Sequence, residues 1–464
     1  MVSRGPSIQP LMKSMKFQFA IMLKKATPLA ILQTSRLPIH IFSINSICCS
    51  FSLPRTFINL VKSNLGTGIL AMPNAIKNAG LAFGSVALLF LGLLSTFCCH
   101  QLLYAYRKVS GGKPLSYSQV VHLSFQKAGP KVSKYANFIK ISVDFFLCLG
   151  QIGCCCVFIL FMARICKEFF DEVLPEHSLD IRVYETFVFV LLIPYCFVTT
   201  LKVLSYFTLI GNVVTLLVLV VIFQYMVQNL QPVEDVNLIA PDFSTIPLFF
   251  GSATFSMGVI VAILPIENRM IDRDAFHHWN GLLSLGMMVA LVLNIIIGFY
   301  GYLTFGQDTV VVLSNMPQTL LYQITNLLYA FVIFITFNMM LYIPIEIIVP
   351  PMKRLVKKSF FDKYGEYFIR VGLVTFTYIL AISIPCLELM ISLFGALAGS
   401  FLSFIFPAMA ELACQFHSDI KLSQFRIVKC IAVILFGLFG CFVGSFVAIQ
   451  SMIHDMQQPG GCGA

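Results

Sequence analysis

Eleven stretches of this chain each run for about the length of a membrane crossing with almost no charged side chain. They lie at 56-76, 81-106, 141-163, 183-200, 203-227, 245-266, 281-303, 319-345, 367-385, 388-410 and 428-450, bounded by charged and turn-forming residues. About 20 apolar residues in a helix cross a hydrocarbon layer of about 30 Å. The expected fold is therefore an all-α polytopic membrane protein of about 11 transmembrane helices. Only 11% of the 464 residues are charged and 58% are hydrophobic, whereas a soluble domain carries about 25% charged residues. That leaves material for one membrane domain over 55-450, a basic segment over 1-54 and a short tail over 451-464.

The net charge of +10 is spread over the connections between apolar runs. It is topological information rather than a patch for nucleic acid, which is excluded as a partner. With the N-terminus in the cytoplasm, the opposite side holds only Lys77, Arg164, Lys167 and Arg182, and Lys62 falls inside the first run. The rest of the 31 Lys and Arg lie in segments that stay cytoplasmic, as basic loops do. The odd number of spans puts the tail on the non-cytoplasmic side. Plasma membrane and lysosomal or vacuolar membrane both fit, and the chain has no Asn-x-Ser/Thr sequon to separate them.

The stretch from Met12 to Leu32 mixes apolar residues with Lys13, Lys16, Lys24 and Lys25. A basic amphipathic segment on an anionic leaflet, a disordered tail and a transit leader all remain open for it. The run from Leu37 to Leu53, interrupted by His40, Ser43, Asn45 and Ser46, is left out of the span count. Most of the fifteen cysteines, Cys98, Cys99, Cys154, Cys155 and Cys156 among them, sit in apolar runs. They read as small hydrophobes, with neither a disulfide framework nor a metal site. No Walker loop, HExxH helix or nucleophile elbow occurs, so neither an enzyme nor a cofactor is expected.

Transporters use interrupted helices at matching positions in two halves, because unwound backbone in mid-membrane offers free N–H and C=O groups to a substrate. Two runs qualify, five spans apart. The first has Ser63, Asn64, Leu65, Gly66, Thr67 and Gly68 ahead of Pro73; the sixth has Ser252 through Gly258 ahead of Pro265. Each glycine costs about 1 kcal/mol relative to alanine inside a helix, so a break is expected there. A half-helix starting after Gly68 would point its positive end at a carboxylate, which favours an amino acid. The competing reading is that the small residues only let helices pack closely. Among intramembrane ionisable groups, Lys62 lies just before the break and His100 in the second run. His100 is a candidate proton carrier or a hydrogen-bonded structural histidine. Asp144, Glu346, Glu388 and Glu411 fall near span ends and read as solvated or paired.

At the same residues the chain resembles the amino acid/auxin permease superfamily, specifically its proton-coupled amino acid transporter branch. Leu60 to Pro73 reads LVKSNLGTGILAMP, close to the family's LLKGNIGTGLLGLP. Family-like runs follow in order at VDFFLCLGQIGCCCV (Val143 to Val157), LPIENRM (Leu264 to Met270), GYLTFG (Gly301 to Gly306) and IPIEIIVP (Ile343 to Pro350). The resemblance implies a five-plus-five inverted-repeat core plus one C-terminal helix, alternating access, and symport of a proton with small neutral amino acids such as glycine, alanine or proline. It implies that Asn64, Gly66, Thr67 and Gly68, with Phe255, Ser256 and the adjoining Gly258, bind substrate.

Three departures stand against the family pattern. Phe255 to Pro265 reads FSMGVIVAILP where the family has FSFEGIGMVLP, so Gly258 replaces an acidic residue and Val259 and Val261 replace glycines. Phe97 occupies the position of the family's proton-linked histidine, with His100 about one turn further on the same face. Met316 to Thr319 lacks the family's loop cysteine, so its external disulfide is not expected. A sodium-coupled carrier and a transport-silent amino acid sensor of the same fold are the alternatives. A channel is disfavoured, because no filter-like carbonyl motif or charge ring is present.

Overall fold

Inside hydrocarbon a backbone has only itself to bond to, and the apolar runs accordingly close into helices. The computed structural model describes residues 53–173, 179–198, 201–240, 242–270, 273–279, 281–317, 319–355, 359–417 and 424–457. All regular elements among them are helical. The basic segment expected over 1-54 lies outside the described residues except for its last two, Leu53 and Pro54.

The first span is broken into α1 (Leu53–Asn64), α2 (Thr67–Leu70) and α3 (Met72–Ala79). Next come α4 (Leu81–Ser110), a surface helix α5 (Tyr117–Lys127), α6 (Ala136–Val173), α7 (Ile181–Cys196) and α8 (Leu201–Gln228). The sixth span is again broken, into α9 (Ile246–Ser256) and α10 (Ile260–Glu267). The remaining spans are α11 (Leu282–Phe305), α12 (Leu320–Leu355), α13 (Ser359–Ser383), the pair α14 (Leu387–Phe394) and α15 (Phe406–His417), and α16 (Gln424–Gln457). Two π-helical stretches, Gly395–Gly399 and Phe401–Ile405, join α14 to α15.

Nine helical segments among the described residues are long and apolar enough to cross a membrane. Two of the eleven runs fall outside that group. The first is cut into short pieces by its break, and α7 has 16 residues, with Pro194 near its end. Several helices outlast their apolar runs: α6 has 38 residues, α12 has 36, and α16 continues to Gln457, into the expected tail. A charged side chain ends the hydropathy signal without interrupting the i→i−4 bonding that carries the helix onward.

The outer face is what lipid requires. On α16, Phe439, Phe442 and Phe446 are 69%, 71% and 68% exposed. On its inner face Gly440 and Gly444 let the helix close against Phe250 and Ala396. Small residues at the contact and large apolar ones outside are the arrangement expected where lipid, rather than water, is the solvent.

One cysteine expectation is corrected. Cys386 is disulfide-bonded, while the other described cysteines are free. Cys386 caps the start of α14 in the connection from α13, outside the apolar runs, so the small-hydrophobe argument does not reach it.

Candidate substrate-binding site

Both breaks form where the sequence places small residues, with shifted edges. α1 stops at Asn64, Leu65 and Gly66 are unwound, and the next half-helix begins at Thr67, before Gly68 rather than after it. That half-helix is interrupted again at Ala71, where Pro73 opens α3; a proline at a helix start loses no N–H bond. In the sixth span the non-helical turn is Met257, Gly258 and Val259.

The two breaks touch. A Cβ added to Gly68 would sit 2.7 Å from the Ser256 Cα and 3.2 Å from Phe255 Cδ1. Gly68 is thus a packing glycine. Gly66 is different: an added Cβ would meet nothing within 4 Å, and its N–H has no acceptor among the described residues. Next to it, Asn64 is 2% exposed and donates Nδ2 to the Leu60 carbonyl at 3.1 Å, while its Oδ1 is buried without a partner. The unwound turn therefore presents one open donor and one open acceptor, two residues apart. Thr67 and Ser256 add small hydroxyl side chains, Gly258 adds none, and none of the seven residues is charged. Among the described residues no group of three or more His, Cys, Asp or Glu lies together to hold a transition metal.

Helix α11 runs parallel to the broken first span and supports both halves. Met287 Sδ lies 3.8 Å from Asn64 Nδ2. Seven residues on, about 10 Å along the axis, Asn294 accepts from the Ser256 hydroxyl at 2.6 Å and is itself fixed by donating to the Ala290 carbonyl. From α4, Ser95 reaches the Met257 carbonyl at 3.5 Å. Sequence reasoning missed Asn294; its signal was a lone amide in the uncharged run from Leu282 to Phe305. Replacing Asn294 with alanine leaves a buried hydroxyl unpaired, at about 1–3 kcal/mol. We expect N294A to raise the KM for uptake about tenfold. S256A in the N294A background should then add little; additive losses in a double-mutant cycle would mean that the bond does not act.

His100 is not brought to the breaks. Its Nε2 lies 2.8 Å from the Ser284 Oγ, and its ring packs on Trp279 at 4.3 Å. Ser284 is three residues before Met287, toward the end that carries the basic loops. Lys62 is partly buried and forms no ion pair among the described residues. Of the span-end carboxylates, Glu388 pairs with Arg164 at 2.5 Å and Glu411 meets Lys429 at 3.7 Å.

Contacts cross between the helices on both sides of the two breaks. At the basic end Glu267, the fully buried last residue of α10, lies 3.0 Å from His277 and 3.9 Å from Arg273. The following Asn268 accepts from the Tyr106 hydroxyl at 2.9 Å. At the opposite end the connection after α11 folds inward, burying Val311, Val312 and Leu313. The Val312 N–H bonds the Leu70 carbonyl that the second interruption leaves free. Nearby, Lys77 donates to the Gln307 and Thr309 carbonyls.

Residues 50–450 match the family model described as transmembrane amino acid transporter protein. The chain belongs to this family. The amino acid transporter relatives include the proton-coupled amino acid transporter-like protein pathetic of Drosophila melanogaster, 29% identical over 86% of this chain and 84% of the relative. Vacuolar amino acid transporter 4 of Saccharomyces cerevisiae is 28% identical over 72% of this chain, which spans 44% of that protein's length. A solved structure, MhsT in complex with L-phenylalanine, aligns at a TM-score of 0.43 and 15% identity, over 85% of this chain and 98% of that one. Family members are transporters rather than enzymes.

Proposed function

We propose that the chain is a secondary active transporter that carries small neutral amino acids in symport with protons by alternating access. One observation carries the reading. At the first break Asn64 Oδ1, at the end of α1, is a buried acceptor without a partner, and two residues on the Gly66 N–H has no acceptor among the described residues, at a position where an added Cβ would meet nothing within 4 Å. An amino acid brings the complement, an ammonium for the Asn64 carbonyl oxygen and a carboxylate for the N–H of the exposed Gly66, and a buried acceptor such as the Asn64 oxygen is costly until paired.

Thr67, Phe255, Ser256 and Gly258 would complete the lining, with Gly68 holding the two breaks together against Ser256. A charged substrate side chain would find no counter-ion among them, which favours the glycine, alanine and proline class. The contacts on both sides of the breaks supply the gates that alternating access requires. The basic loops are assigned to the cytoplasm, as is the N-terminus, in a plasma or lysosomal/vacuolar membrane. His100, at that end, is placed to pass a proton to the cytoplasm. The name of the Drosophila relative supports proton coupling.

Uptake of labelled glycine, alanine and proline into proteoliposomes tests this, under an inward proton gradient, under a sodium gradient and with neither. Accumulation above about tenfold with protons alone is expected. Accumulation only with sodium replaces the coupling ion. Binding with no accumulation under either gradient makes the chain a sensor.

A further inference from the structure

One acidic side chain inside a span takes no part in the site described so far. Glu185 lies in α7 on the buried stripe formed by Ile181, Tyr184, Val188 and Leu192. It is 0% exposed, and neither carboxyl oxygen has a hydrogen-bond partner. Among the described residues no other carboxyl is buried with both oxygens unpartnered. Three other carboxyls at span ends have partners: Glu388 has Arg164, Glu267 has His277, and Glu411 has Gln415.

The basic group acting on an ionised Glu185 is Arg182, which does so through charge alone and makes no hydrogen bond to it. On its own helix, Asp180 is the N-cap, accepting from the Arg182 N–H, and the Arg182 side chain is exposed. From α6 the ionisable group facing Glu185 is Cys156. From α13, Tyr378 spends its hydroxyl on Thr186 at 2.8 Å. Helix α12 meets α7 at the far end, where Asn338 bonds the Tyr195 carbonyl. A bare carboxylate buried among such neighbours is strongly disfavoured, while the protonated acid is tolerated. The packed arrangement therefore binds a proton at Glu185, and release of that proton requires the helices to part or water to enter.

Its position suits a proton that enters from the side opposite the basic loops. Glu185 is five residues from the capped start of α7, about 7.5 Å along the axis. It also adjoins the helix that connects to the substrate site. Gly153, one turn from Cys156 on α6, holds Phe394 of α14; the next residue, Gly395, presses on Gly251 of α9, which ends at Ser256.

We propose that Glu185 is the proton-binding carboxyl of the transport cycle, loaded from the side opposite the basic loops. The proposal rests on the proton-symport reading and names the group that holds the proton. Its test compares full-length wild-type protein and E185Q in proteoliposomes. Three quantities are read: exchange of labelled alanine without a gradient, gradient-driven accumulation, and substrate-induced acidification of the vesicle interior by a trapped pH dye. The expected result is exchange within about twofold of wild type, with accumulation and acidification both lost.

E185Q that accumulates and acidifies like wild type overturns the Glu185 assignment and leaves symport standing. Wild-type protein that shows neither overturns the symport reading and the proposal with it. If E185Q does not reach a monodisperse state, E185D decides. A pH of half-maximal uptake displaced from wild type supports the proposal, and an unchanged pH profile counts against it.

Discussion

Gly68→Leu should reduce amino acid uptake to the level of empty vesicles, in protein that still reaches the membrane. A Cβ at this position lies 2.7 Å from the Ser256 Cα. The atom it meets is backbone, so relief requires α9 to move away from the first span. Overpacking of a filled site costs about 1–3 kcal/mol, and the rest of the leucine side chain adds to that. Each 1.4 kcal/mol in the barrier is about tenfold in rate, so a fall of at least about 100-fold is expected. Gly66→Ala is the matched control. Its φ of −91° is open to any residue, and its Cβ meets nothing within 4 Å. It should fold normally and lose only the affinity that comes from space beside the free N–H. Equal losses in both variants would show that the contact between the breaks does not matter.

Gly395→Val should be the most damaging single change to stability. Gly395 opens the first π-helical stretch of the tenth span, and any Cβ there overlaps the Gly251 carbonyl oxygen and crowds Phe255 Cβ. The reverse face of the contact is as tight, since a Cβ on Gly251 would overlap the Ser392 carbonyl. Two backbones are in direct contact, so no rotamer change absorbs the methyl groups. A loss of about 3 kcal/mol or more corresponds to an apparent melting temperature lower by about 5–10 °C. Thermal aggregation of detergent-solubilised protein, followed by size-exclusion chromatography, reads this directly. A melting point within 1–2 °C of wild type would show that the spans separate there without cost.

These variants show where chain-level information stops. Runs with so little charge had one use in hydrocarbon, and nine helical segments among the described residues are long and apolar enough to cross a membrane. The two places where helix would fail were equally legible: Gly66 and Gly68 ahead of Pro73, and Ser256 to Gly258 ahead of Pro265, are poor helix formers at matched positions. The choice between a binding glycine and a packing glycine was open in the sequence, since both roles require the absence of a side chain. The tertiary structure packs Gly68 against Ser256 and leaves space beside Gly66, which keeps Gly66 available for the binding role proposed above.

Asn294, Glu185 and the inward-folded Val311 to Leu313 were hidden for a related reason. An amide, a carboxyl or a short apolar connection looks the same in sequence whether it faces lipid, water or a neighbouring helix. Cys386 was hidden too, because a disulfide depends on which two chain segments meet. Local propensity and hydropathy belong to the residues in order and determined the spans, the family and the breaks. Pairing of buried polar groups depends on neighbours remote in the chain, and only packing of the helices decided which donor, which acceptor and which acid were left open.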